Sequence, residues 1–100
     1  MRILGIDPGL ADLGYGVIDS ERGKVAVVDY GEIKTPKCEN VPARLHMIYD
    51  GLNDLFDKYK PDCVAIEELF FTKNITPGIN VAQARGVILL TANRLLGEEV

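Results

Sequence analysis

Three observations predict an α/β domain built on a mixed sheet. The elements read strand, strand, strand, helix, strand, helix along 100 residues. A helix long enough to serve as a crossover separates two short apolar runs, so those runs can lie parallel in one sheet. Each run stops at an acid, in "RILGIDPG" and in "CVAIEE".

Taken in order, Arg2 to Ile6 reads as a strand buried on both faces and halted by Asp7-Pro8-Gly9. Leu13 to Asp19 and Lys24 to Lys34 are rich in Val, Ile and Tyr, and "SERG" between them supplies a turn ending in glycine, so a hairpin is expected. Gly14, Gly16 and Gly31 would weaken ordinary strands; they mark a bulge, or a place where another backbone or a ligand comes close. Thr35 to Asn40 is a polar connector. Leu45, Ile48, Leu52, Leu55 and Tyr59 then recur at three- and four-residue steps, behind Asn40 as N-cap and Pro42 in the first turn and ahead of a stop at Pro61, which predicts an amphipathic helix. Cys63 to Ile66 is the second apolar run. Leu69 to Gly78 is expected to be a loop carrying two adjacent phenylalanines. Asn80, with Gln83 three residues on, then opens a second helix through Val81, Ala84, Ile88, Ala92 and Leu95 to Gly97.

The size, with 47% of residues hydrophobic, suits one domain with one core and excludes two. No run of about eighteen apolar residues occurs, and "MRILGIDPG" meets a charge and a turn before any signal segment could form, so a cytoplasmic protein without a membrane span is expected. Cys38 and Cys63 lack C-x-x-C spacing and a neighbouring His, and are expected to be reduced bystanders. A net charge of -4 leaves no basic footprint for nucleic acid and, on composition alone, counts against a DNA partner.

In an open α/β sheet ligands collect at the carboxyl ends of parallel strands, so Asp7 and Glu67 would meet there. Two neighbouring carboxylates repel unless one is protonated or a cation lies between them, and oxygen donors of this kind suit Mg²⁺ or Mn²⁺. The functional reading is a metal site for phosphoryl chemistry. The plain alternative is a pair of strand-end acids that face water or cap the next segment.

The blocks "ILGIDPGLADLGYGVI", "VPARLHMIYDGL", "AIEELFFTKN" and "AQARGVILL" resemble, in order and over essentially the whole chain, those of the RuvC family of Holliday-junction resolvases. The resemblance implies an RNase H-like fold with a mixed five-stranded sheet and flanking helices, here truncated after the second helix, and a homodimer. It implies a structure-selective endonuclease that resolves four-way DNA junctions in recombination and repair by Mg²⁺-dependent hydrolysis, with two ions in the complete enzyme. Asp7 and Glu67 fall on the family's first two metal-binding acids, with Glu68 the second choice for the latter. Phe70 falls on the aromatic that stacks on bases at the opened crossover, and Lys73 and Asn74 on the "KN" pair beside DNA, where a lysine positions a phosphate without reading sequence. Arg85, in "QARG", is placed where it meets either phosphate or a second subunit. By the same resemblance the RuvA/RuvB branch-migration complex is a possible partner.

The family completes its metal site with two further acids on a C-terminal helix, in a block resembling D-A-A-D-A-L-A. No such block occurs here, so the chain is read as the N-terminal part of a resolvase domain, expected to be inactive alone, and the family's basic residues are expected in the part not present. For Phe71 packing under the second helix is favoured over DNA. His46 is given no role, and Tyr15 is expected in the core with its hydroxyl at the rim. Ala82, Ala84 and Gly86 permit close approach of another helix, either a second copy's or the sheet's own layer. Two other classes stay open: an ATP-handling fold of the actin and sugar-kinase type, which needs a second half and a cleft, and a non-catalytic module that dimerises or contacts DNA. A same-fold alternative, the YqgF type, matches "AIEELFFTKN" and "QARG" less well.

Overall fold

A computed structural model describes residues 1–67 and 75–97, with the side chains of 75–77 left aside. Its elements are β1 (Arg2–Asp7), β2 (Asp12–Glu21), β3 (Lys24–Lys34), α1 (Val41–Tyr59), β4 (Cys63–Ile66) and α2 (Ile75–Leu96). Among the described residues the sheet has four strands in the order β3-β2-β1-β4. β1 runs antiparallel to β2 and parallel to β4, with α1 as the crossover.

The hairpin closes through Arg22 and Gly23, both at positive φ (50° and 79°) between the paired Glu21 and Lys24. Such a two-residue turn matches the twist of its strands. The bulge lies at Val28, where the register steps from Val17↔Asp29 to Ile18↔Val27, and not at a glycine. Gly31 instead makes room for a ring: a Cβ there would stand 2.9 Å from the Tyr15 hydroxyl.

Helix α1 starts where expected because the Asn40 side chain accepts a hydrogen bond from the Ala43 N–H at 2.8 Å. It ends at Lys60, in the left-handed region at φ 48°, whose N–H donates to the Phe56 carbonyl. Its buried side chains are Ile48, Leu52, Leu55 and Phe56. Gly51 lets this helix approach β3, since a Cβ there would meet Ile33 at 2.9 Å. Helix α2 begins at Ile75, five residues before the expected Asn80. Pro77 lies in its first turn, where a missing N–H breaks no helical bond, so "TPG" enters the helix instead of stopping the chain. Gly97 closes it at φ 72°.

Leu4, Ile6, Leu13, Val17 and Val64 on the sheet meet Ile48, Leu52 and Phe56 of α1 and Ala84, Ile88 and Ala92 of α2 in one core. Both helices therefore cover the same face. The expectation that β1 is buried on both faces is corrected: Leu4 and Ile6 are buried, whereas Ile3 and Gly5 point to the other side and are half-exposed. That outer face also carries the exposed Val25, Val27 and Tyr30.

Candidate metal centre

The parallel register aligns Ile3 with Cys63 and Ile6 with Ile66. One residue on, the Glu67 N–H still donates to the Ile6 carbonyl at 3.2 Å, so the ladder continues and places Asp7 and Glu67 side by side. The pleat alternates, so with Ile6 facing the core Asp7 turns to the outer face. Both acids are exposed. Around them that face is nearly bare of side chains: Gly14 is paired with Asp7, Gly16 with Gly5, and Gly5 with Ala65. A Cβ on Gly14 would stand 3.5 Å from the Asp7 Cβ. The glycines thus form an open floor beside two carboxylates, a place for close approach by a ligand.

The acids feel one another. Asp7, able to take a hydrogen bond from a protonated Glu67 and to repel an ionised one, pushes the Glu67 carboxyl above its ordinary range, with a smaller contribution from burial. A shared proton or a cation relieves such a pair. Among the described residues no third His, Cys, Asp or Glu joins them as a metal-holding group.

The turn that carries Asp7 is held from behind. Pro8 and Leu10 are buried, and a Cβ at Gly9 would collide with the Asp12 carbonyl oxygen, so only glycine fits there. Thr35, 5% exposed, clamps the turn: its hydroxyl donates to the Leu10 carbonyl at 2.5 Å and its N–H to the Ala11 carbonyl at 3.0 Å. The Arg44 Nε–H donates to the same hydroxyl at 2.8 Å. Reading the sequence missed Thr35 and Arg44, because a single threonine in a polar connector and an arginine in "VPAR" carry no local signature of partners 25 and 9 residues away.

Of the other expected site residues, Arg85 lies on α2, half-buried, with its Nε enclosed and without a hydrogen-bond partner among the described residues. Glu68, Phe70, Phe71, Lys73 and Asn74 lie outside the described residues. Ala84 packs inward, while Ala82 and Gly86 are exposed on the far side of the helix. No described helix is long and apolar enough to cross a membrane.

A parallel β1/β4 pair with a helical crossover, extended by an antiparallel hairpin, defines an RNase H-like domain with an acid pair at its carboxyl end. The chain belongs to the RuvC family, whose model, described as crossover junction endodeoxyribonuclease RuvC, matches residues 3–98. It is 53% identical over 92 residues to the crossover junction endodeoxyribonuclease RuvC of Syntrophomonas wolfei, covering 92% of this chain and 54% of that protein. The corresponding protein of Fusobacterium nucleatum is 49% identical over 94 residues, covering 94% of this chain and 50% of the relative. Among solved structures, Thermus thermophilus RuvC in complex with a Holliday junction substrate superposes with a TM-score of 0.86 at 29% identity, over 95% of this chain and 61% of that one. The chain spans about half the length of the curated relatives it matches.

Proposed function

We propose that these residues are the N-terminal part of a structure-selective endonuclease that resolves four-way DNA junctions, in which Asp7 and Glu67 are two of the acids that hold Mg²⁺, with Mn²⁺ as an alternative. The carrying observation is the register that sets the two carboxylates side by side above a glycine floor. Family membership and the junction bound by the Thermus thermophilus relative support the substrate class.

The donor set fits a hard divalent ion: two exposed carboxylates that repel one another and leave room for water ligands. Such an ion, when bound, supplies positive charge at the scissile phosphodiester. The rigid ladder fixes the spacing of the two acids, and the bare floor admits a sugar-phosphate backbone without side-chain clashes. In this reading Phe70 stacks on an opened base, Lys73 and Asn74 contact phosphate, and Arg85 braces the same region or the second subunit. The complete enzyme is a cytoplasmic homodimer, paired through the exposed stripe of α2, and acts with the RuvA/RuvB complex. The 100 residues contribute two carboxylates, so alone they leave junctions uncut.

A chimera tests this. Residues 3–98 replace the matching segment of the Syntrophomonas wolfei relative, and the product is incubated with a synthetic four-way junction and Mg²⁺. Paired symmetric nicks are expected. Asp7→Asn in the chimera should reduce cleavage by about a thousandfold or more while binding persists, because it removes a ligand of the ion that acts on the scissile phosphate and not a contact that holds the junction. A folded chimera that binds junctions and never nicks them would remove the nuclease reading, and nicking by the 100 residues alone would show that the two acids suffice.

A further inference from the structure

Behind the Asp7 turn, on the helical side of the sheet, lies a cleft of about 660 Å³ lined by Gly9 to Asp12, Lys37, Arg44, Asn80 and Val81. The topology puts it at the same end of the fold as the acid pair. The turn after β1, the start of β2, the connector after β3 and the first turns of α1 all lie at the carboxyl end of β1. Two cations face this space and neither has a carboxylate within ion-pair reach among the described residues; the ion pairs formed there are Arg2 with Asp19, Lys34 with Glu32 and His46 with Asp50. The Arg44 Nε–H donates to Thr35, and no hydrogen bond from its two terminal nitrogens occurs among the described residues. Lys37 is exposed on the rim. The cleft also holds one acid, Asp12, and apolar walls from Leu10, Ala11 and Val81.

An arginine held at its Nε, with its two terminal nitrogens unpaired among the described residues, is a preorganised receptor for a tetrahedral oxyanion, because those two nitrogens meet two oxygens at once with little further loss of side-chain freedom. The same Thr35 that anchors Arg44 also holds the turn after Asp7 at the Leu10 carbonyl, so an anion on Arg44 is connected through one hydroxyl to the turn that carries Asp7.

We propose that the Arg44–Lys37 cleft binds a phosphate of the nucleic-acid backbone other than the one at Asp7 and Glu67, and so sets where the strand lies relative to the acids. This rests on the nucleic-acid reading above. Free inorganic phosphate is the other source of the same chemistry, and the test separates the two.

The ¹⁵N-labelled chain is titrated with a short DNA duplex and, separately, with inorganic phosphate, while the Arg44 Nε–H signal and the amides of Gly9 to Asp12 and Lys37 are followed. With the duplex these signals should move together and saturate at far lower concentration than with phosphate. Lys37→Gln, an exposed change that leaves the fold alone, and Arg44→Gln should each lower the slope of log affinity against log salt by about one. Phosphate binding as tightly as duplex would assign the cleft to the free anion and overturn the strand contact. Cleft signals unmoved by either probe, or salt slopes unchanged in the Lys37→Gln variant, would overturn the site. Loss of the divalent-ion site at Asp7 and Glu67 would leave these signals untouched, so failure of the nuclease reading is told apart from failure of this one.

Discussion

Asp29 illustrates how single residues couple layers of this fold. It accepts hydrogen bonds from the Tyr59 hydroxyl on α1 and from the Tyr30 N–H, and these hold its carboxyl below the usual range, the Tyr59 contact foremost. Burial and then the Asp29 charge push the Tyr15 phenol up on the same patch. A carboxyl lowered on folding adds stability that is present above its unfolded value and is lost as pH falls through the lower, folded one. Tyr59→Phe removes the main cause. Thermal unfolding should therefore show the variant less stable than the parent at neutral pH, with the two curves converging as pH drops through the carboxylate range; a gap that persists in acid would mean that the hydroxyl acts through packing and not through Asp29. At this scale Asp7 and Glu67 were legible in the sequence because each is the first charge after an apolar run. Asp29, Thr35 and Arg44 were not, since what matters about them is a partner 9 to 30 residues away.

Among the elements, α1 lies where the sequence puts it, since cap, proline and apolar period all point to the same boundaries. Its Asn40 cap is a local contribution, and Asn40→Ala should lower stability by about 1 kcal/mol. Ile48 is fully buried between sheet and helices, so Ile48→Ala should lower it by about 2 to 5 kcal/mol, measured by urea unfolding. Equal losses at both sites would contradict the division of labour between cap and core. The start of α2 was misplaced because Pro77 and Gly78 signal a turn in isolation, yet a proline in a first turn is compatible with a helix that packs Ala84, Ile88 and Ala92 against the sheet. β1 looked buried on both faces because an apolar run gives no information about which face a helix will cover.

At the scale of the whole molecule the two helices share one face, and the far side of α2 presents Ile79, Ala82, Gly86 and Leu90 at helical spacing. Ile79 is 51% and Leu90 66% exposed, a stripe of small and large residues suited to a two-fold helix pair. If the proposed homodimer forms there, Leu90→Lys should shift the sedimentation of the chimera from dimer to monomer without changing its far-ultraviolet spectrum. An unchanged dimer would move the interface elsewhere. The parallel pairing of β1 with β4 followed from the helix between two apolar runs, whereas the open outer face and the cleft at Arg44 arise only when the layers are assembled.

The account depends on Asp7 and Glu67 jointly holding a divalent ion, and paramagnetic broadening by Mn²⁺ in the amide spectrum of this chain tests it most directly. Broadening should concentrate on Asp7, Gly14, Ile66 and Glu67, be displaced by Mg²⁺, and vanish in both Asp7→Asn and Glu67→Gln. Broadening centred elsewhere, or surviving both substitutions, would contradict it.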